Sequence, residues 1–290
     1  MKKLVVRISG GLGNQMFEFA LGLAMSQRTG RELRLDLTDF IIFRSGRTYQ
    51  LDHFRGPLLT KRWNFINTYL FLGAWIVHKR ISKKLAAILF RLLKVRVMQT
   101  PQLFHADPLF LDYRDYSSET LCIAGCYGIL PYFNDAADII RKHFQLSNSL
   151  SSKNKAYFEK FCSMDATVSI HVRRADYLLA SNGSPVLNFE YYLNAVEVIK
   201  RHETHPVWVI FSDDIQWCKE KFAFLDNIIF VEGNEATPWE DIHLIAACYH
   251  HITTVRLKNP VNRARRAYRG FRIGTDFPKT LEKWGFFRKA

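Results

Sequence analysis

The sequence predicts an α/β protein made of two parallel sheets wound by helices. Three observations support this class. Strand-like apolar runs alternate with helical patterns, a polar stretch at residues 145–156 separates two halves, and 290 residues suffice for one or two full cores. Alternating strands and helices imply parallel strands joined by crossover connections. We therefore expect one domain over residues 1–150 and a second over residues 151–290.

The first predicted strand leads into a glycine-rich turn and a helix. Leu4–Ile8 is a short β-branched run, and Gly10, Gly11 and Gly13 let the chain turn and bring backbone N–H groups close to another molecule. From Asn14 the apolar residues recur at helical spacing and end near residue 30. A strand, a turn and a helix N-terminus together suit a phosphate group. A tight turn without a ligand fits the same residues.

Dinucleotide binding is one interpretation of this turn. The G-x-G-x-x-G fingerprint needs a third glycine and an acidic residue about 20 positions later. Gly11 and Gly13 supply the first two glycines, but Met16 stands at the third position. Asp36, at the end of a second predicted strand over Glu32–Leu37, supplies the acid. A nicotinamide-dependent oxidoreductase is therefore one alternative function.

Cysteine content and the length of apolar runs indicate the cellular compartment of the protein. Five cysteines without regular metal-ligand spacing favour a reducing environment. Glycines interrupt the opening MKKLVVRISGG too early for a signal peptide, and there is no run of about 18 apolar residues. We expect a cytoplasmic protein, with peripheral binding to the inner face of the membrane as a further option.

The net charge of +14 is concentrated in the middle of the chain. No acidic residue occurs from His53 to Ala106, whereas lysines and arginines alternate there with aromatic and aliphatic residues. This mixture predicts a basic helical insertion at about residues 60–97, suited to an anionic membrane surface. A solvated helical face explains it equally well. Nucleic acid is not expected, because no zinc-finger, RNA-recognition or helix-turn-helix signature accompanies the charge. A basic phosphate-binding module for a membrane or a nucleic acid is the second alternative function.

The second half alternates strands and helices regularly. The predicted elements are a strand at Ala166–Val172, a helix at Phe189–His202, a strand at Val207–Phe211, a helix at Ile215–Phe222, a strand at Ile228–Val231 and a helix at Pro238–Tyr249. Ligands of such sheets bind beyond the carboxyl ends of the strands. The polar residues that follow each strand are therefore the candidates for chemistry.

Two polar clusters follow these strands. Arg173 and Arg174, after the first strand, can bind a pyrophosphate bidentately, with Asp176 orienting one guanidinium. A structural ion pair is the alternative. The second cluster, Ser212-Asp213-Asp214, fits a helix cap, a ribose-binding carboxylate or, more weakly, a metal site.

Four stretches, GGLGNQMFEFALGLAMSQRTG, SIHVRRADY, FSDDIQWCKEKF and EDIHLIAAC, resemble the bacterial α-1,2-fucosyltransferases of glycosyltransferase family 11 in order and spacing. The resemblance covers Met1–Ile252. It implies a GT-B-type fold, in which two Rossmann-like domains face a central cleft. The domain at 1–150 would then lie on the acceptor side, and the domain at 151–290 would bind the sugar nucleotide. The resemblance further implies inverting transfer of L-fucose from GDP-fucose to a galactose of a surface glycan precursor such as an O-antigen, with no metal or other cofactor.

The resemblance also assigns residues. His171, Arg173, Arg174 and Asp176 match the donor-binding motif, and Arg173 is expected to contact the pyrophosphate and stabilise the leaving group. The full set of expected donor-binding residues is Gly11, Gly13, Asn14, His171, Arg173, Arg174, Asp176, Ser212, Asp213 and Asp214. The general base stays open among Asp36, Asp39, His171 and Asp176.

The chain departs from the family after Ile252, and its C-terminal end is atypical. The family continues with a run like N-S-T-F-S-W-W-G, whereas this chain has TTVRLKNP followed by an arginine-dense segment. Codons that encode Thr-Thr-Val-Arg-Leu can encode Asn-Ser-Thr-Phe when read two nucleotides further on. One hypothesis is a frameshift near Thr253 that impairs the enzyme. The other is a divergent tail with a fold of its own.

Overall fold

The computed structural model describes residues 2–41, 47–62, 95–99, 120–124, 134–175, 178 and 186–253. The chain divides into two compact units, Met1–Asn148 and Ser149–Ala290. Each unit contains a parallel sheet.

The first sheet is formed by β1 (Lys3–Arg7), β2 (Glu32–Asp36), β3 (Val95–Gln99) and β4 (Thr120–Ala124), in the order β2-β1-β4-β3. All of its neighbouring strands run parallel. Leu4, Val5 and Val6 of β1 are buried in succession, which explains why this strand is a continuous apolar run rather than an alternating one.

The helices of the first unit are α1 (Leu12–Thr29), α2 (Thr38–Ile41), α3 (Arg55–Leu59) and α4 (Ala137–His143). Helix α1 ends at Gly30, whose φ of 62° lies in the left-handed region that glycine tolerates. At Gly22 the helix lies against the sheet so closely that an added Cβ would be 2.9 Å from Val6 Cγ2 and from Leu33 Cδ1. The close helix–strand contact is therefore at Gly22, well inside the helix, and not at the third glycine position of the dinucleotide fingerprint.

The second sheet contains β5 (Thr167–Val172), β6 (Val207–Ser212), β7 (Ile228–Val231) and β8 (His250–Ile252), in the parallel order β7-β6-β5-β8. The helices are α5 (Ser152–Ser163), α6 (Phe189–Lys200), α7 (Ile215–Lys221) and α8 (Pro238–Ala247). Alternate residues of β6 enter different cores. Trp208 and Ile210 pack with residues of α6 and α7, whereas Val209 and Phe211 pack with Phe161 of α5 and with α8. The sheet is thus covered by helices on both faces.

The strand order of the second sheet reverses direction next to β5, which makes this a topological switch point. The chain runs from β5 through β6 to β7 in one direction and then adds β8 on the other side of β5. In the first sheet β1 is likewise flanked by β2 and β4. Ligands of open parallel sheets bind beyond the carboxyl ends of strands at such points. The loops after β1 and β5 are therefore the two places to look for chemistry.

The predicted α/β class with two Rossmann-like sheets is confirmed, and most predicted element boundaries agree with the structure within a few residues. One boundary is wrong. The basic helical insertion, predicted to reach about residue 97, cannot include residues 95–97, because Val95–Gln99 pairs with Thr120–Ala124 as β3. Residues 63–94 of that insertion lie outside the described residues, as does the atypical tail from residue 254 onward.

Candidate active site

The two polar clusters predicted from the sequence meet at the carboxyl edge of the second sheet. In the register of β5 and β6, Val172 pairs with Ser212, so both strands end at the same level. Arg173 and Arg174 follow β5, and Asp213 and Asp214 follow β6. Adjacent parallel strands therefore bring two arginines and two carboxylates together.

Asp213 organises the backbone of the loop after β5. Its Oδ1 accepts hydrogen bonds from the amides of Arg174 at 2.8 Å and Ala175 at 3.2 Å. Its Oδ2 lies 3.7 Å from Arg173 Nε, an ion pair longer than a hydrogen bond. Asp213 thus fixes the backbone conformation of the loop that carries both arginines.

Asp214 fixes the second arginine. Its Oδ2 accepts a hydrogen bond from Arg174 Nε at 3.0 Å, and its Oδ1 accepts one from the Trp217 amide at 3.3 Å, which caps α7. The Arg174 guanidinium carbon lies 4.8 Å from the centre of the Trp217 ring, within cation–π range. Ser212 completes the turn, because its Oγ accepts a hydrogen bond from the Asp214 amide at 2.9 Å. The Arg174 side chain is therefore held by two contacts, with Asp214 and with Trp217.

The charges of this cluster are balanced and its histidine is neutral. Burial of the imidazole, aided by the nearby Arg173, lowers the pKa of His171 to about 4. His171 therefore carries no charge near pH 7 and can offer one hydrogen-bond donor and one acceptor. The side chain of Arg173 is 36% exposed, against 26% for Arg174. Arg173 is the more accessible of the two cations.

The glycine turn lies at the carboxyl end of β1. Gly10 has a φ of 67°, and an added Cβ there would lie 2.7 Å from Asn14 Nδ2. At Gly11 and Gly13 an added Cβ would meet no atom of the described residues within 4 Å. Gly11 caps α1 without a side-chain hydrogen bond. Within the described residues, the turn therefore combines a helix N-terminus that has no side-chain cap with room for another molecule.

Two buried polar side chains of α1 support this turn, and sequence reasoning missed both. Gln15 Nε2 donates to the carbonyls of Gly10 and Thr48, each at 2.9 Å, and Gln15 Oε1 accepts from the Gln50 amide at 3.0 Å. Glu18 accepts from the amide and the hydroxyl of Ser9. A signal was present in the sequence: Gln15, Glu18 and Gly22 recur at the spacing of one helix face, where an apolar stripe would otherwise run.

Asp36 has a structural role. Its carboxylate accepts from Arg7 Nε at 3.0 Å and from the Thr38 amide at 3.0 Å, and it also bonds the Thr38 hydroxyl. These partners occupy the carboxylate that a dinucleotide ribose, or an acceptor hydroxyl awaiting deprotonation, would need. Of the other candidate bases, neutral His171 is a weak base because its pKa is so low. Asp39 lies in α2, and Asp176 lies outside the described residues.

A second buried polar network, also missed, lies beyond the carboxyl end of β7. Glu240 of α8 accepts from the hydroxyl of Ser151 at 2.8 Å and also bonds the side-chain amide of Asn154 in α5. Asn154 and Asn234 exchange amide hydrogen bonds, and Asn234 donates to Asp241 at 2.6 Å. Burial raises the pKa of Asp241 to about 6. The network joins the first turns of α5 and α8 to the loop after β7.

The described residues include no group of three or more His, Cys, Asp or Glu side chains placed to hold a metal ion. In the same part of the chain, no helix is both long enough and apolar enough to cross a membrane.

Six of the expected donor-binding residues lie together at the carboxyl edge of the second sheet: His171, Arg173, Arg174, Ser212, Asp213 and Asp214. Gly11, Gly13 and Asn14 lie in the first unit.

Comparison with known proteins gives consistent results. The model of glycosyl transferase family 11 matches residues 4–256. An α-1,2-colitosyltransferase from Escherichia coli is 27% identical over 267 residues, which cover 87% of this chain and 83% of that protein. Galactoside α-(1,2)-fucosyltransferase 1 from Saimiri sciureus is 28% identical over 155 residues, covering 50% of this chain and 42% of that protein.

Among solved structures, NodZ α-1,6-fucosyltransferase co-crystallised with GDP is similar to this chain with a TM-score of 0.54. The two are 18% identical, and the match covers 92% of this chain and 91% of the other. At this identity the likeness concerns the fold, which is of the two-sheet type described above.

Proposed function

Because this chain belongs to glycosyltransferase family 11, we propose that it transfers L-fucose from GDP-fucose to the 2-hydroxyl of a galactose in a surface glycan precursor. The observation that carries the proposal is the arginine pair at the switch point of the second sheet, oriented by two carboxylates. The names of the relatives support an α-1,2 linkage and a deoxy-hexose donor.

In this reaction the acceptor oxygen forms a bond to the anomeric carbon of fucose, and the bond from that carbon to the β-phosphate oxygen breaks. GDP leaves with the bonding electrons, so negative charge grows on the β-phosphate. Arg173, the more accessible arginine, is placed to stabilise that charge. Its planar guanidinium can bind two phosphate oxygens and keeps its charge throughout the physiological pH range.

The acceptor proton must go to a base as the new bond forms. Asp36 is occupied by Arg7 and Thr38, and His171 is too weakly basic. Asp39 and Asp176 are therefore the carboxylates to test first. Loss of transfer with retained GDP binding would identify the base among them.

A colitosyl donor is the second candidate, because an α-1,2-colitosyltransferase is among the relatives that align over most of the chain. Colitose is fucose without the 3-hydroxyl group. A site that hydrogen-bonds the 3-hydroxyl would reject colitose strongly, whereas a site without such a contact would accept both sugars. Transfer assays with GDP-fucose and GDP-colitose at equal concentrations separate the two donors.

The membrane is a proposed partner as well. The basic segment between residues 60 and 97 combines positive charge with aromatic and aliphatic residues, which suits binding to anionic lipid. Binding to that surface would bring a transferase close to a lipid-linked glycan precursor.

The nicotinamide alternative is weaker than the transferase. The Asp36 carboxylate, which would bind the ribose, is already occupied, and Met16 replaces the third glycine of the fingerprint.

The deciding experiment is a thermal-shift titration with GDP, NAD and a short oligonucleotide, followed by a transfer assay with a galactoside. A ligand stabilises only a protein whose folded state it binds. We expect stabilisation by GDP and none by NAD. Stabilisation by NAD alone, or by the oligonucleotide alone, would overturn the proposal.

A further inference from the structure

Glu18 is a carboxyl side chain buried beneath the glycine turn. It is 1% exposed, and its two oxygens accept from the amide of Ser9 at 2.7 Å and from the hydroxyl of Ser9 at 2.8 Å. We propose that Glu18 is a positioning residue that holds Ser9, and through it the glycine turn, in the form that receives a phosphate of the nucleotide donor. The inference rests on the proposed function and on the expectation from the family resemblance that Gly11, Gly13 and Asn14 bind the donor.

The contacts around Ser9 fix the turn on both sides. Upstream, the Ile8 amide donates to the Asp36 carbonyl at 3.0 Å and continues the β1–β2 pairing. Downstream, Gln15 holds the Gly10 carbonyl from the same helix that carries Glu18. Ser9 is the residue between these two anchors, and Glu18 binds both of its polar groups. The turn is therefore held from beneath, at the carboxyl end of β1.

The protonation state of Glu18 decides what Ser9 can do. Burial, with a smaller contribution from Asp39 of α2, raises the pKa of Glu18 to about 8, whereas the hydrogen bonds from Ser9 and the charge of Arg7 in β1 act in the opposite direction. Arg7 is itself paired with Asp36 of β2. Near pH 7 the carboxyl group is therefore mostly protonated.

A protonated carboxyl group has one donor and one acceptor oxygen. In that form Glu18 keeps both contacts: one oxygen accepts the Ser9 amide hydrogen, and the other carries the proton and donates it to Ser9 Oγ, so the 2.8 Å hydrogen bond reverses its direction. The Ser9 hydroxyl hydrogen then becomes available to another acceptor, such as a phosphate oxygen. When Glu18 is ionised, the Ser9 hydroxyl must donate to the carboxylate, and a negative charge lies under the turn. Both consequences favour phosphate binding by the neutral form.

The test compares four variants. Glu18→Gln keeps the donor and acceptor pattern of the neutral carboxyl group at every pH, and Glu18→Ala removes it. Ser9→Ala removes the hydroxyl group. Ser26→Ala is the matched control, because Ser26 Oγ also donates one hydrogen bond, to the Arg31 carbonyl at 2.6 Å, but near the other end of α1. Each protein is titrated with GDP by calorimetry between pH 7 and 9.5, and the donor KM and kcat are measured over the same range.

We expect the GDP affinity of the unaltered protein to fall as the pH rises through about 8, and that of Glu18→Gln to stay level. Glu18→Ala and Ser9→Ala should bind GDP about tenfold more weakly at pH 7, since each loses hydrogen bonds at the turn. Ser26→Ala should follow the unaltered protein. Identical pH profiles for the unaltered protein and Glu18→Gln would overturn the positioning role while leaving the transferase intact. Absence of GDP binding at every pH would overturn the proposed function and this inference together.

Discussion

Asp214 binds Arg174 with one carboxylate oxygen, at 3.0 Å from Nε, and caps helix α7 with the other. The helix it caps carries Trp217, whose ring lies beneath the same guanidinium. One aspartate therefore joins the loop after β5 to α7. Arg173, the preceding residue, has a longer ion pair with Asp213. Neighbouring arginines thus differ in role: Arg174 maintains the shape of the site, and Arg173 is the cation proposed to bind phosphate.

We predict that Arg173→Ala weakens GDP binding by about 2–4 kcal/mol, because a charge-assisted bidentate contact is lost. Arg173→Lys should recover only part of this, since lysine lacks the planar fork. Calorimetric titration with GDP, with thermal unfolding as the check on folding, measures both variants. Unchanged GDP affinity in Arg173→Ala would remove Arg173 from the site.

Arg174→Ala should act mainly on stability. It removes a largely buried ion pair and a cation–π contact, together worth about 1–2 kcal/mol. Lys219→Ala is the control on α7, the helix that carries Trp217, because Lys219 makes a more exposed pair with Glu232 and lies 6.0 Å from the Phe230 ring. We expect it to change the free energy of unfolding by less than about 0.5 kcal/mol. Equal effects of the two substitutions on the free energy of unfolding in urea would contradict a larger stabilising role for Arg174 than for Lys219.

Glu18 should make stability depend on pH. Its pKa is about 8 in the folded protein and near 4.5 in the unfolded chain, so between these values the folded state holds the extra proton. The free energy of unfolding should therefore fall as the pH rises from about 5 to 8, by up to about 1.4 kcal/mol per pH unit from this group. Glu18→Gln removes that contribution. Urea unfolding at several pH values, compared between the two proteins, checks the slope, which should be shallower in the variant.

The basic segment predicts salt-sensitive membrane binding. At low ionic strength we expect co-sedimentation with vesicles that contain anionic lipid, and release as salt rises beyond physiological strength. Vesicles of neutral lipid alone are the control. Equal binding to neutral vesicles, or no binding to either kind, would mean that the charge of this segment serves only solubility.

The tail after Ile252 predicts low transfer activity for this chain. The match to the family model ends at residue 256, and the segment from Lys258 to Gly270 has few apolar residues to bury. Replacing everything after Ile252 with a family-like tail that contains Asn-Ser-Thr-Phe-Ser-Trp-Trp-Gly should raise transfer from GDP-fucose to a galactoside. The unreplaced chain with Arg173→Ala supplies the background rate. Robust activity of the original chain, equal to that of the chimera, would show that this tail is a working variant.

The sequence alone determined the fold class, the order of the elements and the two loops where chemistry is proposed. These are local properties: the period of apolar residues distinguishes strand from helix, and a glycine turn or an arginine pair after a strand is visible within ten residues. The prediction therefore placed the arginine pair and Ser212-Asp213-Asp214 at strand ends, where the structure has them.

Tertiary structure decided the partners of each side chain. Asp36 and Arg7 are 29 positions apart, and Asp214 and Arg174 are 40 apart, so no local spacing could pair them. Local spacing could not reveal the role of Glu18 either. In the sequence Glu18 is one more charged residue of a helix, and only the tertiary structure shows that it is buried. Burial and long-range pairing arise only when β1, β2 and α1 come together. Those two effects turn Asp36 into an anchor and Glu18 into the support of the glycine turn.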